Sequence, residues 1–468
     1  MWGRRLRLPA ILLLATGAFA QQYDLAITGG RVMDPESGLD AVRNIGISAG
    51  KIKVITNKTL KAKETIQAKG LIVSPGFIDI HSHGQDDENY RYKARDGVTT
   101  ALEMEVGVWP VSPWYKAREG KALINFGATS GHIPARMAVM HDTGTFLPRD
   151  NAVNRAPTAA ETKHALDNVR QGVRDGALGI GMGIAYMPLT SREEIYDVFK
   201  IGAEQHTPIY VHMRNSGPVE PGVVDSLQEV IADALSTGAQ LHIVHITSTA
   251  IRQTPLALEM VDGAQKQSSG VTTECYPYTA GMTQLESAIF SPGWQERMEV
   301  SYNDLQWVAT GERLTKETFD KYREQGGPVV IHSIPEDIVK MAVAHPGVII
   351  ASDGWLVNGK GHPRAAGTYS RVLARYVREQ KTMSTMEALR KMTILPAKRV
   401  NLPNKGRIKE GADADITIFD PNKVQDKATY DNPAQYAEGI PYVIVNGVPV
   451  VRDGKLETNL YPGKPVRR

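Results

Sequence analysis

Residues 76–84 of the chain read GFIDIHSHG, an apolar run that ends on two histidines, His81 and His83. The run from Phe77 to Ile80 predicts a buried β-strand. Side chains two positions apart in an extended chain point to the same side. Two imidazoles on one side of a strand end can hold a metal ion together, and zinc accepts them at tetrahedral angles. The motif is short, so by itself it fits two polar loop residues equally well.

Later strand-like runs end in the same way. Apolar stretches directly precede His212, His245 and Asp353. Chance placement of twelve histidines would not usually produce this order at successive strand ends. His242 has the opposite strand parity to His245, so we expect it to face a helix or pack in a strand wall. The carboxyl ends of parallel strands meet at one face of a barrel, and this face carries the active site.

The middle of the chain, residues 71–400, alternates short apolar runs with amphipathic segments such as 159–176. About eight such units predict an α/β fold, a closed TIM-like (β/α)8 barrel. Nine strand candidates are present, so one is an extra strand or a wrong assignment. An open doubly wound sheet is the competing fold, and the polar residues at the strand ends disfavour it. Residues 291–325 are expected to be an insertion with short helices.

Both ends of the chain are rich in short strands. Residues 21–70 alternate apolar and polar positions between Gly-containing turns, and the pattern returns in residues 401–468. Asn446-Gly447 predicts a hairpin because this pair tolerates positive φ angles. We expect the two ends to form one small β-sandwich domain, followed by a C-terminal tail.

Residues 1–20 predict a signal peptide. Three Arg precede the apolar run at 11–14, and Ala18-Phe19-Ala20 offers small residues for cleavage. An uncleaved anchor helix is the disfavoured alternative, because the run is short for a bilayer. We therefore expect a periplasmic or secreted protein without stable membrane insertion after cleavage.

Composition limits the classes of partner. Loss of the leader removes three Arg and no acid, which takes the formal net charge from +3 to 0. No block of Lys and Arg indicates nucleic-acid binding. Cys275 is the only cysteine, so no internal disulfide can form. We expect a small-molecule partner, with a homo-oligomer as an open alternative.

The order HxH, His, His, Asp resembles the signature of the amidohydrolase superfamily. Residues 361–420 are similar to the N-acyl-D-amino-acid deacylase (D-aminoacylase) family, as are VHMR at 211–214, YPYTAG at 276–281 and SDG at 352–354. The similarity runs from about residue 23 to 420. It implies hydrolysis of a C–N amide bond at a centre of one or two Zn²⁺ ions.

The resemblance also implies roles for single residues. His212 and His245 correspond to the tight zinc ligands, and Asp353 corresponds to the catalytic acid/base. Three further positions correspond to substrate-binding residues, namely Tyr186, Tyr278 and Arg364.

The superfamily bridges its two metal positions with an acid, a carboxylated Lys or a Cys. The fourth strand candidate, at 177–186, has no Lys, which disfavours a dihydroorotase- or hydantoinase-type centre. The second candidate offers Glu103 and Glu105. Glu105 lies nearer the strand end and is the favoured ligand, Glu103 is the alternative, and a salt-bridged wall residue is a third interpretation of either. The family usually has a Cys there, and a carboxylate in its place favours two metals.

These features predict metal-dependent hydrolysis of a linear amide, such as an N-acyl-D-amino acid or a related amide or dipeptide. A metal-activated hydroxide would attack, and Asp353 would carry the proton to the leaving amine. The family's Lys after the last metal histidine is replaced by residues 246–248, Ile-Thr-Ser. The exact substrate and its stereochemistry therefore stay open. The alternatives are hydrolysis of a cyclic amide, lactone or carbamate and, in another class, a non-catalytic periplasmic binding protein.

Overall fold

The computed structural model describes residues 22–268 and 270–468. The predicted signal peptide at residues 1–20 lies outside the described residues. Twenty-two strands are described, in chain order: β1 Gln22–Asp34, β2 Leu39–Ser48, β3 Lys51–Thr56, β4 Lys61–Gln67, β5 Ile72–Pro75, β6 Phe77–Asp79, β7 Val98–Val108, β8 Asn125–Gly131, β9 Ile180–Gly183, β10 Ile209–His212, β11 Leu241–Ile243, β12 Val271–Cys275, β13 Gly281–Gln284, β14 Leu305–Trp307, β15 Pro328–Ile331, β16 Val348–Ile350, β17 Leu356–Val357, β18 Lys360–Gly361, β19 Ile416–Phe419, β20 Tyr442–Val445, β21 Val448–Arg452 and β22 Lys455–Leu456.

Fifteen α-helices are described: α1 Asp87–Arg95, α2 Val111–Arg118, α3 His132–Met140, α4 Asn151–Asn154, α5 Ala159–Arg174, α6 Arg192–Glu204, α7 Val223–Thr237, α8 Ile246–Ala250, α9 Thr254–Gln267, α10 Trp294–Met298, α11 Lys316–Gln325, α12 Glu336–Ala344, α13 Arg364–Arg371, α14 Thr385–Met392 and α15 Ile394–Arg399. Four 3₁₀ helices span Ile184–Tyr186, Ile251–Gln253, Ala288–Phe290 and Tyr302–Asp304, and a π-helix spans Val372–Glu379.

Eight parallel strands form the central sheet in the order β6–β7–β8–β9–β10–β11–β12–β16. The sheet closes between β6 and β16, where Ser82 and Gly354 form a parallel bridge. Beside this bridge, the amide of Asp353 donates to the carbonyl of His81 at 2.7 Å. The predicted TIM-like (β/α)8 barrel is confirmed.

Helix α5 shows why the helices pack outside the barrel. Thr158 and Glu161 form a reciprocal capping box that fixes its first turn. The buried residues of the helix recur every three or four positions, so they share one apolar face: Ala165, Leu166, Val169, Gly172 and Val173.

One of the nine strand candidates, residues 328–333 (PVVIHS), does not belong to the barrel. Its strand β15 pairs antiparallel with β13 and β14 in a separate three-stranded sheet. This sheet has its own apolar cluster, which includes Leu305, Trp307 and Val329. The insertion between β12 and β16 therefore starts before residue 291 and continues past residue 325, because its first and last strands pair with each other.

The two ends of the chain share one nine-stranded mixed sheet. Strand β1 pairs with β4 through its first half and with β5 through its second half, across an irregularity between Ile27 and Gly30. Because β1 pairs with β2, β4 and β5, it links the strands from both ends of the chain into one sheet. Asn446 and Gly447 have φ angles of 48° and 80° between β20 and β21, as the hairpin prediction requires.

Across residues 22–268 and 270–468, no helix combines the length and the apolar character needed to cross a membrane.

Candidate metal centre

Four histidines and two carboxylates meet at the carboxyl ends of the barrel strands. They come from five strands, which explains why the sequence separates them so widely. All six are residues that the sequence indicated: His81, His83, Glu105, His212, His245 and Asp353.

Glu105 lies between two pairs of histidines. Its Oε2 is 3.1 Å from Nε2 of His81 and 3.2 Å from Nε2 of His83. Its Oε1 is 2.7 Å from Nδ1 of His212 and 3.2 Å from Nε2 of His245. Each carboxylate oxygen therefore faces one histidine pair, the arrangement expected of a ligand shared by two metal ions.

The ligand atoms form two groups that have Glu105 in common. In each group the ligand atoms lie within 4.8 Å of one another. The first group comprises His81, His83, Glu105 and Asp353; the second comprises Glu105, His212 and His245. Imidazole nitrogens and carboxylate oxygens are ligands that zinc binds, so this donor set fits zinc at both positions.

Two other buried carboxylates orient the first histidine pair. Nδ1 of His81 lies 2.5 Å from Glu274, and Nδ1 of His83 lies 2.8 Å from Glu103. An ionised carboxylate only accepts hydrogen bonds, so each ring donates from Nδ1 and leaves Nε2 free for a metal. The structure therefore favours Glu105 over Glu103 as the ligand, because Glu103 also accepts from two backbone amides of its own strand.

Asp353 is buried and contacts the first histidine pair. Its Oδ1 is 3.1 Å from Nε2 of His83, and its Oδ2 is 3.0 Å from Nη2 of Arg364. Burial by itself raises the pKa of Asp353, but the positive charges of Arg364 and His81 hold this pKa well below its usual range. The carboxylate is therefore ionised at neutral pH, the form that accepts a proton.

Two of these residues adopt the left-handed backbone region. The φ angle is 30° at His245 and 52° at Asp353. Residues other than Gly rarely adopt it, and such strain is common at functional sites. His245 and Asp353 lie two and three residues beyond the ends of β11 and β16, and the side chains of both belong to the metal-ligand groups.

A narrow cavity of about 70 Å³ opens onto the metal-ligand groups. Phe146 and Trp355 flank it, with ring centroids 5.2 and 5.4 Å from that of His83. Tyr186 lines it as well, with its ring centroid 4.8 Å from that of His212 and its hydroxyl 3.1 Å from Oγ1 of Thr283.

Tyr278 and Arg364 do not line this cavity. The hydroxyl of Tyr278 donates to the carbonyl of Pro363 at 3.4 Å, whereas Tyr276 takes the place in the wall. Side chains two positions apart point to the same side only in a regular strand. Strand β12 ends at Cys275, before both tyrosines, so this rule does not apply to them. Arg364 is fully buried behind the wall, with its guanidinium 4.4 Å from the ring centroid of Tyr276.

Of the two environments predicted for His242, the structure shows packing in the strand wall and not a helix. Its Nε2 lies 3.1 Å from Glu274 and its Nδ1 lies 2.8 Å from Oγ1 of Thr272, both on the neighbouring strand β12. Strand β11 ends at Ile243, and the backbone of His245 lies in the left-handed region. The alternation of side chains along a strand therefore does not extend from His242 to His245. Sequence reasoning missed Glu274, although it is an acid at the penultimate position of a predicted barrel strand.

A parallel barrel with such a cluster at its carboxyl edge defines a metal-dependent hydrolase. Residues 153–451 match the amidohydrolase family. The chain is 30% identical over 479 residues to a D-aminoacylase of Alcaligenes xylosoxydans xylosoxydans, a match that covers 92% of this chain and 95% of the relative. It is 26% identical to an N-acyl-D-glutamate deacylase of the same organism, covering 96% and 97%.

A solved structure supports the same relationship. The N-acyl-D-glutamate deacylase from Bordetella bronchiseptica, complexed with zinc and a phosphonate inhibitor, superposes with a TM-score of 0.83 at 28% identity, covering 96% of this chain and 100% of that one. The chain belongs to the amidohydrolase family, within its group of N-acyl-D-amino-acid deacylases.

Proposed function

We propose that the chain is a zinc-dependent deacylase that hydrolyses N-acyl-D-amino acids. The observation that carries this proposal is the position of Glu105 between two histidine pairs, beside the ionised carboxylate of Asp353. Zinc bound by these residues supplies a Lewis acid for the amide carbonyl and lowers the pKa of water to about 7.

Asp353 is placed to move the proton that amide hydrolysis requires. Its Oδ1 faces His83 and the metal-ligand atoms, whereas Oδ2 is held by Arg364. Oδ1 takes a proton from the attacking water and then gives it to the leaving amine nitrogen. Because Arg364 fixes Oδ2, the carboxylate keeps one orientation during both transfers.

Arg364 acts on the site through Asp353 and not on the substrate. It is fully buried behind Tyr276 and does not line the cavity, so a bound substrate does not reach its guanidinium. The substrate class is supported instead by a sequence relative, which is named N-acyl-D-glutamate deacylase.

The neutral hydroxyl of Tyr186 completes the polar wall. Burial is the main reason that the pKa of Tyr186 lies well above its usual value, and the charge of Glu105 adds to it. The phenol therefore stays protonated and can donate a hydrogen bond to the substrate. This keeps the role for Tyr186 that the sequence suggested.

A metal count combined with a substrate panel tests the proposal. We expect zinc in the purified protein, hydrolysis of N-acetyl-D-amino acids in preference to the L-forms, loss of activity after chelation and recovery with zinc. Dihydropyrimidines, lactones and dipeptides in the same panel test the other substrate classes. Turnover of only a cyclic substrate, or undiminished activity after complete zinc removal, would contradict the proposal.

We also propose that the chain is exported to the periplasm or secreted. The support is the leader at residues 1–20, with its basic start, short apolar run and small residues at 18–20. Amino-terminal sequencing of the protein from its native host should begin at or near Gln21. Recovery of the intact leader in the cytoplasm would contradict export.

A further inference from the structure

A second, larger cavity adjoins the catalytic cavity. It has a volume of about 410 Å³, compared with about 70 Å³ for the first. The two cavities share four lining residues, His212, Ser216, Ile289 and Met298. Binding sites for small organic ligands usually hold several hundred Å³, so the first cavity has room for the reacting amide and little more. The bulk of a substrate must extend into a neighbouring space.

The second cavity lies at one defined end of the metal-ligand cluster. Its lining includes His212 but not His83 or Asp353. His212 contacts Oε1 of Glu105, and the first histidine pair contacts Oε2. Beyond that pair, Asp353 contacts His83, and Arg364 contacts Asp353. The second cavity therefore opens at the end of the cluster opposite Asp353.

The position of the second cavity determines which half of the substrate can enter it. An N-acyl amino acid has its carboxylate on the nitrogen side of the scissile bond and its acyl chain on the other side. In the proposed function Asp353 protonates the leaving nitrogen, so the amino-acid half of the substrate lies on the Asp353 side, and the present inference rests on that placement. The acyl chain then points towards His212 and into the second cavity.

The wall of the second cavity suits an aliphatic chain. Apolar side chains form much of it, namely those of Ala185, Met213, Ala288, Ile289 and Met298. Arg214 is paired with Glu229, which accepts from its Nε at 2.9 Å and from its Nη2 at 2.8 Å. Arg297, the other cation of the wall, donates to the backbone carbonyls of Pro292 and Ser291. The two acids of the wall, Glu220 and Glu296, are solvent-exposed.

We propose that the second cavity is an acyl-chain subsite and that the enzyme prefers medium-chain N-acyl groups to acetyl. The volume accommodates on the order of ten carbon atoms, if each takes about the space of one water molecule, roughly 30 Å³. Ile289 and Met298 stand where the two cavities meet, so the chain passes between the amide and the subsite along them.

The test compares N-acetyl and N-octanoyl derivatives of the same D-amino acid on the zinc-loaded enzyme. Each methylene should raise kcat/KM by about twofold in a cavity that is partly open to solvent, roughly half the gain expected for full burial. We therefore expect the octanoyl compound to exceed the acetyl compound at least tenfold in kcat/KM, mainly through KM.

Filling the subsite should reduce this ratio. Ala185→Leu and Ala288→Leu each add bulk to the second cavity only, and either should reduce the octanoyl-to-acetyl ratio at least fivefold. Ala160→Leu makes the same chemical change on the exposed side of α5 and should keep the wild-type ratio. Thermal unfolding of all three variants identifies any that fail to fold, and the remaining subsite variant then decides.

Two failures can be told apart. If N-acetyl-D-amino acids are hydrolysed but the wild-type ratio is one or less, or neither subsite variant changes it, the acyl-chain subsite is refuted and the proposed function stands. If no N-acyl amino acid is hydrolysed, the proposed function fails and the subsite fails with it.

Discussion

Oδ2 of Asp353 lies 3.0 Å from Nη2 of Arg364, and the arginine side chain is completely buried. The pair couples the proton carrier of the site to a fixed positive charge. The positive charge of Arg364 lowers the pKa of Asp353. Replacing Asp353 removes the proton carrier, whereas replacing Arg364 raises the pKa of that carrier.

Asp353→Asn should keep the zinc content and lower kcat by a factor of about 10² to 10⁴, the usual contribution of a positioned acid/base. An amide of the same shape cannot accept the proton of water. The measurements are zinc per chain and kcat on an N-acetyl-D-amino acid. A variant with full zinc and the wild-type rate would show that another group carries the proton.

Arg364→Met should move the acid limb of the pH profile. Arg364 lowers the pKa of Asp353, so its loss raises that pKa and the acid limb of kcat/KM shifts to higher pH. Arg364→Lys should restore part of this shift, because it keeps a positive charge beside Asp353. An unchanged acid limb in the Met variant would exclude the electrostatic role of the pair.

Glu105→Ala should lower the number of zinc ions bound per chain. Glu105 is the only residue common to both ligand groups, so its removal weakens both. Glu103→Gln is the matched control on the same strand. It should keep the ion count and weaken binding about 10- to 100-fold, because Glu103 only orients His83. Equal zinc loss in the two variants would contradict the assignment of Glu105.

Zinc affinity should increase with pH across the neutral range. Burial lowers the pKa of His81, but the carboxylates of Asp353 and Glu274 outweigh it and raise this pKa to about 10 in the metal-free protein. Zinc must therefore displace protons, and protons compete more strongly as the pH falls. Chelator competition at pH 6, 7 and 8 measures the trend. A pH-independent affinity would show that the histidines are neutral before zinc binds.

Glu274→Gln should weaken zinc binding about 10- to 100-fold, because an amide orients His81 less strongly than a carboxylate does. Glu194→Gln is its control: Glu194 also accepts from a buried histidine, His132 at 2.8 Å, but neither residue belongs to a metal-ligand group. The control should lose stability and keep its zinc affinity. Unchanged zinc affinity in Glu274→Gln together with weakened affinity in Glu194→Gln would contradict the role of Glu274 in orienting His81.

Strands and strand-end residues could be predicted from the sequence, because the local order of apolar and polar residues indicates them. His212 is the last residue of β10 and Glu105 lies three residues before the end of β7, and an apolar run with a polar side chain near its end is visible in any one segment. The three-stranded insertion misled the strand count, because the apolar run of β15 has the same local pattern as a barrel strand.

Contacts that depend on packing between distant strands could not be predicted. Glu274 meets His81 across the barrel interior, and nothing near either residue in the chain indicates the other. Side-chain directions beyond a strand end were also inaccessible. Tyr276 rather than Tyr278 lines the cavity, because the backbone after Cys275 no longer alternates.

The bridge between Ser82 and Gly354 has a consequence for how the enzyme acquires activity. Beside it, the hydroxyl of Ser352 donates to the carbonyl of His81, which lies 271 positions earlier in the sequence. Contacts of such high sequence separation pay a large loop-closure entropy and tend to form late. Asp353 therefore reaches the histidines only when the first and last barrel strands dock, so recovery of activity during refolding should report the completion of the barrel.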